Sequence, residues 1–196
     1  MDSTQTHPRA GDALILVDVQ NDFLPGGSLA VPQGDEVVAP LNQCLAAFQS
    51  RSLPIFATRD WHPADHCSFK SQGGPWPPHC VAGTVGAAYT PRLKLPEDAT
   101  IISKATTSQR DAYSGFDGTE LDRLLHERNV DRVFVGGLAT DYCVLNMVRD
   151  AVKLGYRVML LTDAIRAVNV QPEDGAHALS EMASLGAIAI ESKDIV

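Results

Sequence analysis

A small set of residues in this 196-residue chain could do chemistry together if folding gathered them: Asp18, Asp60, His62, His79, Lys104 and Cys143. In "GLATDYC" an apolar, strand-like run passes through glycine into helical spacing, with Cys143 three residues after Thr140. With Thr140 as N-cap, that thiol lies in the first turn, where unpaired backbone N–H groups and the positive end of the helix dipole favour thiolate and can hold an oxyanion. A lysine nearby favours the anion further and a carboxylate can take the thiol proton. Asp18, Lys104 and Cys143 therefore have the parts of an activated nucleophile and are expected to titrate as a coupled set. The stretch "RDWHPADHCSFKSQGGPWPPHC" carries Asp60, His62, Asp65, His66, Cys67, His79 and Cys80. Asp-x-His at a strand end, with a second His after a Pro-rich loop, suits a divalent metal bound by nitrogen and oxygen with positions left open. Hydrogen-bonded loop histidines without metal are the plainer reading. A sulfur-containing zinc site on Cys67 and Cys80 is disfavoured because neither sits in a paired spacing.

These residues need strand ends to bring them together, and the chain supplies them. Apolar runs at 13–19, 53–60, 99–104, 131–137, 156–163 and 187–192 read as strands. Helical patterns at about 35–51, 118–129, 141–155 and 172–186 lie between them, two of them closed by Gly155 and Gly186. Strands alternating with helices imply right-handed crossovers and a mostly parallel sheet covered on both faces, a three-layer α/β sandwich. In such sheets ligands bind beyond the carboxyl ends of the strands. Asp18, Asp60, His62, Lys104 and Cys143 all fall there. The irregular, Pro-, Trp- and His-rich segment 61–98 is long for an idle loop.

Composition narrows the function. With 44% apolar and 20% charged residues the chain has ordinary globular composition, read as a loose tail over 1–11 and one domain over 12–196. A net charge of -8 without a basic cluster argues against nucleic acid. No apolar run approaches the roughly 20 residues of a membrane span, and the opening lacks a basic and then apolar leader, so a cytoplasmic protein is expected. Four cysteines without a Cys-x-x-Cys pair fit free thiols. Neither Gly-x-Gly-x-x-Gly nor a Walker-type Gly-Lys-Ser/Thr occurs, which sets nucleotide binding aside.

Together and in this order, "LILVDVQNDFLPGGSLAV", "RDWHPADHCSF", "WPPHCV" and "VGGLATDYCV" resemble the nicotinamidase/pyrazinamidase branch of the isochorismatase-like cysteine hydrolases, over roughly residues 13–190. The resemblance implies a six-stranded parallel sheet, a catalytic triad at Asp18, Lys104 and Cys143, and metal ligands at Asp60, His62 and His79. It also implies one divalent ion, zinc first with iron or manganese as alternatives, and a pocket for the nicotinamide ring lined by Phe23, Trp76 and Tyr113. His66 is implied to sit beside the metal loop without coordinating. A cis peptide before Ala139 is implied to turn its N–H inward, forming an oxyanion hole with the Cys143 N–H. The implied reaction is nicotinamide to nicotinate and ammonia through a thioester, with pyrazinamide as a second substrate, in NAD salvage. Another small amide, a carbamoyl or ureido compound, is the same-fold alternative, and a catalytically silent binding protein the different-class one. Homo-oligomerisation is compatible with the sequence and not set by it.

Overall fold

Runs of buried Ile, Leu, Val and Ala form one sheet from β1 (Asp12–Val17), β2 (Ile55–Asp60), β3 (Thr100–Lys104), β4 (Arg132–Leu138), β5 (Arg157–Arg166) and β6 (Ile188–Ile190). The computed structural model describes residues 6–195. Every strand pair is parallel, in the order β3-β2-β1-β4-β5-β6. All six residues of β1 are buried, and their alternation divides the core. Leu14 and Leu16 meet Leu41, Leu45 and Phe48 of α1 (Val38–Gln49) on one face. Ala13, Ile15 and Val17 meet, on the other, residues of α2 (Leu121–Glu127), α3 (Leu145–Lys153) and α4 (Asp174–Ser184). This is the expected three-layer α/β sandwich, and covering both faces is why the central strands are apolar at consecutive positions. No helix among the described residues is long and apolar enough to cross a membrane.

The chain builds outward from β1 to β2 and β3, then returns to lay β4 on the other side of β1. A crevice opens beyond the carboxyl ends of the strands where the order reverses, so the topology puts the ligand site between β1 and β4. At the opposite end, Arg132 clamps Asp12 by two hydrogen bonds of 2.7 and 2.6 Å, a buried fork that ties the same two strands. Between β2 and β3 the long segment has no helix beyond the single turn Lys70–Gln72. It is pinned instead by backbone bonds such as His62 N–H to Cys80 O and Cys67 N–H to Ser108 O.

Two local expectations are corrected. Thr140 is not an N-cap: Ala139 precedes the helix in extended conformation, and Thr140–Val144 forms a wide π-helical turn leading into α3. Residues 6–11 are not a loose tail. The Thr6 hydroxyl donates to Asp194 O and the Arg9 N–H to Asp12, so local polar composition is outweighed by contacts with distant chain. Residues 1–5 lie outside the described residues.

Gly137 lets β4 approach β1 at the site end. Its φ is +129°, and a Cβ there would lie 2.1 Å from Val17 O. Gly137→Ala is therefore expected to cost about 3 kcal/mol or more, from strain and overpacking together. The midpoint of urea unfolding checks this, and a loss under about 1 kcal/mol would show that the close approach is dispensable.

Candidate functional site

Asp18 is the first residue past β1, in the left-handed region at φ 49°. Its N–H still donates to Thr58 O at 3.2 Å, so its side chain leaves the strand pattern and turns to the sheet end. Asp60 and Lys104 close β2 and β3 and are register partners across that parallel pair. Cys143 arrives from the π-helical turn after β4. The parts thus converge from four chain segments at the switch point, and Asp18, Asp60, Lys104 and Cys143 are all buried.

Lys104 sits at the centre of this cluster. Its Nζ donates to Asp60 in a short bond, to Ala112 O at 3.2 Å and to Cys143 Sγ at 3.5 Å, and lies 3.0 Å from Asp18 Oδ2. Asp18 Oδ2 is thus held by the ammonium as an ion pair and, among the described residues, is the buried side-chain oxygen whose geometry completes no hydrogen bond. Asp18 Oδ1 accepts from the Thr58 hydroxyl at 2.6 Å. Asp60 was expected only as a metal ligand, yet it is also the principal counter-ion of the lysine.

Two buried carboxylates share one ammonium, and this unequal pairing sets their proton affinities. Burial would raise the Asp60 carboxyl, but Lys104 and His62 outweigh it and hold it below the usual range. For Asp18 burial wins, with the Asp60 charge adding to it, and its carboxyl is raised despite Lys104. Burial alone would lower Lys104, whereas Asp18 and Asp60 keep its ammonium well above the ordinary value. Burial pushes the Cys143 thiol up; Lys104 opposes this, and Asp18 and Asp60 add to it. Helix-end geometry favours thiolate, but here a third anion in this dry cluster costs more than dipole and ammonium return.

Asp60, His62 and His79 each bring a ligand atom within 4.8 Å of the others. Both rings are prepared for a cation. His62 Nδ1 is 3.2 Å from Ala105 O, and His79 Nδ1 is 2.8 Å from Pro77 O. A carbonyl can only accept, so Nδ1 carries the proton and Nε2 keeps its lone pair for a metal. Burial lowers the pKa of His79, which favours the neutral ligand form. His66 has no such freedom, since Nδ1 pairs with Ser68 Oγ at 2.7 Å and Nε2 with Arg110 O at 3.1 Å. Asp18, Asp60 and Cys143 also cluster, but the Lys104 ammonium lies among them. Neither Cys67 nor Cys80 joins a group of metal donors among the described residues.

A pocket reaches this cluster, lined by Cys143, Ala139, Asp60, His62 and His79 and walled by Phe23, Trp76 and Tyr113. The Trp76 indole donates to the Tyr113 hydroxyl at 3.1 Å. The Leu138–Ala139 peptide bond is cis. Tyr142, Leu29, Val31, Val168, Ser68 and Asp111 also line the pocket and were missed. Tyr142 packs edge-on against Trp76 with ring centroids 5.2 Å apart, and its place next to Cys143 was the available signal. Leu29 and Val31 lie in the quoted "GGSLAV"; nothing local marks Val168.

A family model described as Isochorismatase domain matches residues 12–194. The nicotinamidase of Escherichia coli K12 is 43% identical over 196 residues, covering 89% of this chain and 92% of that protein. Among solved structures, the pyrazinamidase of Pyrococcus horikoshii in complex with zinc is 48% identical with a TM-score of 0.89, covering 92% of this chain and 99% of that one. PnC1 from L. infantum, solved in complex with nicotinate, is 39% identical with a TM-score of 0.89, covering 97% and 98%.

The thiols give a direct check on the electrostatics. In chelator-treated protein the rate of Cys143 alkylation by iodoacetamide is expected to keep rising tenfold per pH unit through pH ~9, because its thiolate forms above the ordinary thiol range near ~8.5. Cys44 and Cys80, buried and with thiols pushed up (Cys44 to about 12), should resist labelling, while half-buried Cys67 reports simple accessibility. A Cys143 rate that levels off below pH ~8 would restore the helix-end thiolate.

Proposed function

The chain belongs to the isochorismatase family, and on that premise we propose that it is a nicotinamidase, hydrolysing nicotinamide to nicotinate and ammonia, and pyrazinamide to pyrazinoate, through a thioester on Cys143. The observation that carries this reading is Asp18 Oδ2, ion-paired with Lys104 but completing no hydrogen bond, in one cluster with the Cys143 thiol beneath an aromatic-walled pocket. A carboxylate whose proton affinity is raised, beside a thiol that keeps its proton, is matched to general-base work. The names and ligands of the relatives, nicotinamidase, pyrazinamidase and nicotinate, support the substrate.

In this reading the ring lies between Phe23 and Trp76, and the carboxamide carbon faces Cys143 Sγ. Asp60, His62 and His79 would hold one divalent ion, zinc by preference with iron or manganese as alternatives, which supplies a Lewis-acid partner for the ring nitrogen. Asp18 takes the thiol proton as the S–C bond forms and the carbonyl electrons move to oxygen. The N–H groups of Ala139 and Cys143 receive that oxyanion. Asp18 returns the proton to nitrogen, the C–N bond breaks, and ammonia leaves a thioester. The same carboxylate removes a proton from water, whose oxygen attacks the thioester carbon; nicotinate departs and the thiol is restored. Lys104 keeps Asp18 and Cys143 in register throughout. The free state of all four cysteines fits a reducing cytoplasm, where nicotinate would enter NAD salvage.

Ammonia release across a panel of amides tests the assignment. Nicotinamide and pyrazinamide should turn over, Cys143→Ala should abolish turnover, and Asp18→Asn should lower kcat by about 10²–10⁴. Preference by orders of magnitude for ureido or carbamoyl substrates would sink it.

The pH profile follows from Asp18. Its raised pKa means the base form is lost, as pH falls, at a higher pH than an ordinary aspartate near ~3.9. The acid limb of kcat/KM is expected above that value, with bound metal measured across the same range to separate ligand loss. A limb at or below ~4 at constant metal content would remove Asp18 as the base.

A further inference from the structure

Two residues past Asp18, the three-residue stretch Gln20–Asp22 touches both chain segments that carry the metal donors. Gln20 is fully buried and brackets the Asp60 peptide: its Oε1 accepts the Asp60 N–H at 2.8 Å, and its Nε2 donates to Asp60 O at 2.8 Å and to Ala87 O at 2.9 Å. Asp22 grips the other segment. Its Oδ2 accepts the N–H of Cys80, the residue after His79, at 2.7 Å, and its Oδ1 accepts the Ser28 N–H at 3.2 Å. Cys80 itself sits in the left-handed region at φ 46°, and its carbonyl accepts the His62 N–H at 3.0 Å. The backbone of Cys80, through its N–H on one side and its carbonyl on the other, therefore links His62, His79 and the Asp22 carboxylate.

Resting on the metal site read above, we infer that Gln20 and Asp22 are positioning residues that set the metal affinity of this chain by holding Asp60, His62 and His79 in register. Neither is a ligand. Their partners are backbone groups, and what they fix is the spacing of two segments that share no secondary structure beyond the isolated bridge between His62 and Val81. The fit around Asp22 is close, since a Cβ at Gly86 would lie 2.2 Å from its Oδ2. Both Asp22 oxygens accept from peptide N–H groups; a carboxamide has one acceptor and would set an NH2 against the other donor.

The test is zinc affinity by chelator competition on the full chain, with the absorption spectrum of the cobalt-substituted protein and the melting temperature of the metal-free form. Asp22→Asn is expected to bind zinc about 10–100-fold more weakly and to shift the cobalt bands, as loss of outer support to ligands does. Gln20→Met should do the same, and carries the test with the same outcomes if Asp22→Asn does not fold. Val158→Ala, a buried position near the far end of β5, calibrates lost stability alone and should keep wild-type affinity and spectrum. Affinity within twofold of wild type in Asp22→Asn and Gln20→Met overturns the inference, as does an equal loss in Val158→Ala. His79→Ala separates this from the underlying reading: if it retains full zinc affinity, the metal site itself is wrong and the inference falls with it.

Discussion

One buried ammonium holds the functional end of this molecule together. Lys104 is fully enclosed, and every other charged side chain in its cluster is an acid. Taking an ion out of water costs several kcal/mol, so neither the lysine nor the carboxylates would persist here alone. Their pairing decides where β3 must lie relative to β2 and how the chain after β1 must turn. Because there is one cation for two carboxylates, the pairing is also unequal. Asp60 takes the short bond, and Asp18, ion-paired at 3.0 Å, is left with a raised proton affinity and an oxygen that completes no hydrogen bond.

That inequality connects structure to chemistry. A cluster with two matched ion pairs would be stable and inert, with no group ready to take a proton. Here the stabilising contact and the reactive group belong to different carboxylates. The π-helical turn after β4 delivers Cys143 to the same place, and the apolar walls of the pocket keep water from screening it. The rest of the sandwich keeps this arrangement rigid. β1 is buried on both faces, and Asp12 and Arg132 lock β1 to β4 at the end remote from the site.

The segment that carries His62 and His79 is the less regular half of the site, and it is ordered by scattered backbone bonds and by side-chain hydrogen bonds to backbone rather than by strands. His62, Gln20 and Asp22 each bond the backbone of a distant chain segment, and His79 bonds the carbonyl of nearby Pro77. This explains why a segment without regular structure can present three donor atoms within 4.8 Å. The left-handed residues Asp18, Cys80 and Ala105 lie where the chain leaves the sheet or meets a donor, and each is held by hydrogen bonds nearby.

Much of this was legible in the sequence. Continuous apolar runs ending in Asp18, Asp60 and Lys104 determined a doubly covered parallel sheet and the edge to which those residues go, because burial on both faces leaves no other pattern for a strand. The resemblance carried by the quoted motifs named Asp18, Lys104 and Cys143, then Asp60, His62 and His79, then Phe23, Trp76 and Tyr113, and the fold brings these residues to one sheet end. Local pattern could not show that Asp60 pairs with Lys104, since that depends on the register of two strands 44 positions apart in the chain. Nor could it show the resting protonation of Cys143. A helix start favours thiolate in isolation, and only the tertiary structure supplies the burial and the two carboxylates that reverse it. Val168 in the pocket wall and the packing of residues 6–11 were hidden for the same reason. Sequence determined which groups are present and which sheet end receives them; tertiary structure decided which of them pair and which keep their protons, because those energies depend on distance and on the exclusion of water.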